Sequence, residues 1–226
     1  MELIDIKEKL NPDFYNVLDN MKITTLRPCQ EKAINQGLLN FKNILVCTPT
    51  ASGKTLVAEI AALQNITSGR GKAVYIVPLK ALATEKFKSF KEKYGHLVKI
   101  ALTIGDIDSN DSYLSNYDLI VCTAEKFDSL MRHQTPWLKY VSLLVIDEIH
   151  LMNDPGRGPT VEIIITLVKH LLKKVQILGL SATIGNSDQL SEWLNSELVI
   201  DDWRPVKLKH GVYLDGKIEY LHDSSK

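Results

Sequence analysis

Lys54 and Thr55 close the segment Thr48-Pro49-Thr50-Ala51-Ser52-Gly53-Lys54-Thr55, and Asp147 and Glu148 end the apolar run Val141 to Ile146. Together these residues carry the chemistry of a nucleotide-phosphate site. Backbone N–H groups of such a loop wrap phosphates, a lysine at the position of Lys54 reaches the terminal phosphates, and a Thr55 hydroxyl sits on Mg²⁺. Magnesium takes one or two carboxylates plus waters and phosphates, so Asp147 suffices as its protein carboxylate while Glu148 activates an attacking water. Thr48 stands where the usual pattern has glycine, and taken alone the segment also reads as an ordinary strand-to-helix turn. An isolated Asp-Glu pair likewise reads as the solvated end of a strand. Their presence in one chain favours the nucleotide reading for both.

The elements that must position these residues follow from periodicity. Apolar strand candidates lie near Ile44 to Cys47, Ala73 to Val77, Ile100 to Ile104, Leu119 to Cys122, Leu143 to Ile146 and Ile177 to Leu180. Segments of helical pattern separate them, which predicts an α/β fold with a mostly parallel β-sheet and helices on both faces. In such sheets the ligand crevice lies beyond the carboxyl ends of the strands, where both the loop and the acidic pair emerge. The clearest helix runs from about Pro159 to Lys173, with Val161, Ile164, Ile165, Val168, Leu171 and Leu172 on one stripe. Val206 to Tyr220 reads as a hairpin turning at Asp215-Gly216.

Composition sets limits. With 226 residues, 45% hydrophobic content and a formal net charge of zero, the chain suits one large domain that does not hold nucleic acid by bulk charge alone. No apolar run matches a membrane span and the N-terminus is too charged for a signal peptide, so a cytoplasmic protein is expected. The three cysteines, Cys29, Cys47 and Cys122, are scattered without metal-ligand spacing. From Arg70 to Lys99 basic residues dominate, either bordering a phosphate track or, as for Lys86, Lys88, Lys91 and Lys93, forming the solvated face of a helix.

Read together, Thr48 to Thr55, Asp147-Glu148-Ile149-His150 and Ser181-Ala182-Thr183 resemble motifs I, II and III of superfamily 2 helicases of the DExH kind. Leu26-Arg27-Pro28-Cys29-Gln30 resembles the family's Q motif, Pro78-Leu79-Lys80-Ala81-Leu82 its motif Ia, and Thr123-Ala124-Glu125-Lys126 its motif Ib. They occur in the family's order across roughly residues 20 to 215, and the wording around Arg157 and Gly105-Asp106 is most similar to archaeal Hjm-type DNA repair helicases. In that family Thr or Ala commonly fills the first loop position, as Thr48 does here.

The resemblance implies a RecA-like P-loop domain that binds ATP and Mg²⁺ through Leu26, Arg27, Gln30 and Thr48 to Thr55, with Lys54, Asp147 and Glu148 catalytic. It assigns coupling between nucleotide and nucleic acid to His150, Ser181, Ala182 and Thr183. Contacts to a single strand are implied for Pro78, Lys80, Ala81, Gly105, Asp106, Thr123, Glu125 and Arg157. From the residues themselves, Gln30 is either an adenine reader or a surface residue, Ser181 and Thr183 are also candidate caps for the next helix, and Thr123 is a candidate N-cap. Arg204 is expected to brace the fold. Residues 1–226 are expected to form a single motor domain, with about 1–22 an N-terminal extension and about 204–226 a boundary segment. No segment after Thr183 resembles the family's second RecA-like domain with its arginine fingers, so that domain is expected in a longer chain. The full enzyme is expected to move 3′ to 5′ on DNA and separate forked duplexes; an RNA helicase or a nonenzymatic nucleotide-dependent binding module are the alternatives.

Overall fold

The computed structural model describes residues 1–105, 111–206 and 211–220. Strands β1 (Ile44–Cys47), β2 (Lys72–Val77), β3 (Ile100–Thr103), β4 (Leu119–Thr123), β5 (Val141–Ile146), β6 (Gln176–Ser181) and β7 (Glu197–Ile200) form one sheet in the order β3-β4-β2-β5-β6-β1-β7. Every neighbouring pair in it is parallel. β8 (Gly211–Leu214) and β9 (Lys217–Tyr220) pair antiparallel around Asp215-Gly216, as the hairpin signal predicts. β7 was not expected from sequence. It lies at the sheet edge with a single buried residue, and only the short run Leu198 to Ile200 marks it.

Alternation along the strands divides the interior into two cores. Ile44, Val46, Tyr75, Val77, Leu143 and Val145 face α1 (Pro12–Asn20), α2 (Pro28–Asn35), α3 (Lys54–Thr67) and α4 (Lys80–Tyr94). Leu45, Cys47, Val74, Ile76, Leu144 and Ile146 face α5 (Ala124–Arg132), α6 (Gly158–Leu171) and α7 (Ser187–Leu194). With both faces covered, central strands have no polar side to show, which explains their continuous hydrophobic runs. Residues preceding α2 join the first core through Leu3, Ile6, Phe14 and Leu18, all buried, and Phe14 meets Tyr94 of α4 edge to face at 6.2 Å. No helix among the described residues is long and apolar enough to cross a membrane.

Candidate nucleotide and nucleic-acid site

The loop between β1 and α3 is bent by its own backbone. Ala51 and Gly53 take positive φ values of 66° and 103°, and a Cβ on Gly53 would lie 2.5 Å from Gln30 Nε2, so glycine is required there. Side chains around the start of α2 hold the loop from behind. Arg27 Nη1 donates to the Ala51 carbonyl at 2.8 Å, Cys29 Sγ to that of Ser52 at 3.5 Å, and Gln30 Nε2 to that of Gly53 at 3.0 Å. Three successive carbonyls are thereby turned toward α2. Because the peptides are planar and trans, the N–H groups of Gly53 and Lys54 point the opposite way. Inside the loop, the Thr48 and Ser52 hydroxyls lie 2.7 Å apart, and Thr48 is fully buried, a place where the hydroxyl has a partner that glycine would lack. Pro49 is buried while Thr50 and Ala51 are exposed at the rim.

Lys54 opens α3 and donates to the Thr48 carbonyl at 2.7 Å. Burial pushes its ammonium below the ordinary lysine range, while the charges of Glu148 and Asp147 pull it back up. Thr55, next on the helix, accepts from Lys86 Nζ at 3.0 Å. That ammonium is also 3.5 Å from Asp147 Oδ2, so one cation touches both the Thr55 hydroxyl and the Asp147 carboxylate. Two protein oxygens of different elements within reach of a single cation are a donor set of the kind magnesium takes. Asp147 is further fixed by the buried Tyr75 hydroxyl, which donates to Oδ2 at 2.8 Å, and by the Glu148 N–H, which donates to Oδ1 at 3.1 Å.

Glu148 adopts positive φ, 54°, at the turn out of β5, a conformation uncommon for a side-chain-bearing residue. His150 Nδ1 lies 3.3 Å from Glu148 Oε2 and 3.4 Å from the Ala182 N–H. A single nitrogen thus lies between two partners, and which it engages depends on the tautomer of the ring. Ser181 is the last residue of β6 and its carbonyl accepts from Thr48 N–H at 3.2 Å, while Thr183 is exposed. Neither caps α7, whose N-cap is Asn186.

Gln30 is buried, with Oε1 accepting from Arg27 N–H at 2.8 Å and Nε2 given to Gly53, so an adenine would be read by its remaining N–H and lone pair. Leu26 is core, its N–H bonded to the Met1 carbonyl. Arg27, whose guanidinium lies 5.5 Å from the Trp203 ring centroid, ties the end of the sheet to the loop. Arg204, expected to brace the fold, follows β7 and is exposed.

Of the expected nucleic-acid residues, Pro78, Lys80, Ala81, Thr123, Glu125 and Arg157 lie at or beyond the carboxyl ends of β4, β2 and β5. Pro78, Lys80 and Ala81 lie at the start of α4, and Thr123 caps α5 by accepting from Lys126 N–H at 3.4 Å. Glu125 and Arg157 line one cleft with Asp147 and Glu148. Arg157 precedes α6, where Gly158 allows an approach to the Met152 carbonyl that a Cβ would close to 2.0 Å. Gly105 is exposed after β3, and Asp106 lies outside the described residues.

Two expectations for the lysines of α4 need correction. Lys88 and Lys91 are exposed, but Lys86 turns to Thr55 and Asp147, and Lys93 pairs at 2.8 Å with the buried Glu59, which also accepts from Tyr94 at 2.7 Å. Spacing on one helix cannot separate such lysines, because the partners come from α3 and β5. Tyr75 did carry a signal: a hydroxyl in an otherwise aliphatic strand needs a polar partner.

Residues 27–190 match the DEAD/DEAH box helicase family. Among curated relatives, "ATP-dependent DNA helicase Hel308" of Pyrococcus horikoshii is 52% identical over 200 residues, covering 88% of this chain and 28% of the relative. The proteins of the same name from Methanocaldococcus jannaschii and Pyrococcus abyssi are 52% and 51% identical, covering 91% and 94% of this chain. The chain spans between 18% and 29% of the length of these relatives.

Proposed function

Because the chain belongs to the DEAD/DEAH box helicase family, we propose that it is the first motor domain of an ATP-dependent DNA helicase, binding ATP with magnesium over β1, β6 and β5 and the backbone of a single strand over β4, β2 and β5. The reading draws on the activity for which the relatives are named and on one observation above all: the Thr55 hydroxyl and the Asp147 carboxylate converge on a single cation beside a buried Lys54.

In this reading the loop amides and Lys54 hold the β- and γ-phosphates, and Thr55 and Asp147 hold magnesium, which when bound neutralises phosphate charge. Glu148 takes the proton from the attacking water. His150, bridging toward Ala182, carries the state of that glutamate to β6, and so to the element next to the strand groove. Lys80 and Arg157 offer charge to phosphates, while Thr123 presents a helix start whose free N–H groups suit one. Such contacts are indifferent to base sequence.

In the whole protein, closure of a second motor domain over ATP supplies the arginine that completes the site, and cycles of closure move the strand 3′ to 5′ and separate forked DNA in repair. Without that arginine the 226-residue chain turns ATP over slowly. The decisive experiment is DNA-stimulated ATP hydrolysis and unwinding by the full-length protein carrying Lys54→Ala or Glu148→Gln. Both are expected to lose at least about 100-fold in turnover. Turnover at the unmodified rate would refute the motor assignment.

A further inference from the structure

Lys86 is a cation on a flexible stem placed where the metal ligands meet. Its ammonium contacts Thr55 Oγ1 at 3.0 Å and Asp147 Oδ2 at 3.5 Å, with the two side chains of the ion pair only 20% and 13% exposed. The other partner of Asp147 Oδ2, Tyr75, is rigid and fully buried in β2, so it fixes the carboxylate. Lys86 reaches in from α4, 5.8 Å above the Tyr75 ring, and can withdraw. Lys54, the other ammonium of the site, is turned to the Thr48 carbonyl at 2.7 Å and leaves Asp147 to Lys86.

A half-buried carboxylate group needs a counter-charge whether or not magnesium is there. Magnesium binds oxygens at about 2.0–2.1 Å in an octahedron, and an ammonium on the same two oxygens would crowd and repel it. Building on the magnesium site proposed above, we infer that Lys86 is a tethered counter-cation: it occupies the ligands Thr55 and Asp147 when magnesium is away and is displaced when magnesium binds with nucleotide. It acts as a positioning residue that holds the ligands together while making the ion compete for them. As the ion leaves with product, the ammonium returns to the same oxygens.

The test is a magnesium titration of the 226-residue chain, read by the fluorescence of an ADP analogue, with a parallel arm in EDTA. Lys86→Met keeps the stem and removes the charge. It is expected to lower the magnesium concentration for half-saturation about fivefold, to leave metal-free nucleotide binding unchanged, and to lower the metal-free melting temperature in a way that magnesium restores. Lys86→Arg, which keeps the charge, should stay close to the unmodified chain, and Lys86→Gln provides the charge deletion if the methionine variant does not fold. An unchanged or raised magnesium requirement in both charge-deletion variants overturns the inference, as does loss of nucleotide binding in EDTA, which would make Lys86 a phosphate ligand. If the unmodified chain binds the analogue without any response to magnesium, the proposed site itself fails, a result distinct from failure of the role of Lys86.

Discussion

Lys54 sits in a setting that penalises its own charge. Burial lowers its pKa from the ordinary value of 10.5, with Glu148 and Asp147 opposing the shift. The sign follows directly: between the folded and unfolded pKa the unfolded chain binds the extra proton, so this lysine's contribution to stability rises as pH rises toward 10.5. Nucleotide affinity moves the other way. On the role proposed for Lys54, loss of the ammonium as pH rises through the lowered pKa should make binding of a fluorescent ADP analogue fall at lower pH than an ordinary lysine would dictate. Lys54→Arg should bind more weakly at neutral pH yet hold its affinity further into the alkaline range. The juxtaposition of Lys54, Thr55, Asp147 and Glu148 was legible in the sequence, because the loop and the acidic pair both follow strand ends of one parallel sheet. The contacts of Lys86 were not legible, since its partners lie on other elements.

At the scale of elements, the predicted strands lie within a residue or so of the observed ones, because burial on both faces leaves a signal no polar alternation can blur. The edge strand β7 escaped, and so did the role of the first helices. Phe14 of α1 is fully buried in the core between sheet and α4, against Tyr94. Phe14→Ala should therefore cost about 3–4 kcal/mol, read as a lower urea midpoint with an unchanged slope. Nearby, α3 and α4 are joined by Glu59, whose carboxylate takes both Lys93 at 2.8 Å and Tyr94 at 2.7 Å. Since α3 carries Lys54 and Thr55 while α4 carries Lys86 and Lys80, this joint sets the distance between phosphate loop, cation and strand groove.

Across the whole molecule, zero net charge coexists with a groove where the starts of α4, α5 and α6 stand side by side beyond neighbouring strands. Few phosphates can be neutralised there, so single-strand binding by the full-length protein should weaken with salt, and Lys80→Ala and Arg157→Ala should each reduce the log–log slope by roughly 0.7. Salt titration of fluorescence anisotropy on matched strands of different sequence checks this, and equal losses on all sequences are expected. Finally, the bonds from Arg27, Cys29 and Gln30 to the carbonyls of Ala51, Ser52 and Gly53 give the start of α2 a second meaning. On the proposed reading, the stretch expected to recognise the base is mechanically the back wall of the loop expected to hold phosphate. Gln30→Ala should then weaken binding of a bare triphosphate as well as of a purine nucleotide, measured by competition against a fluorescent ADP analogue.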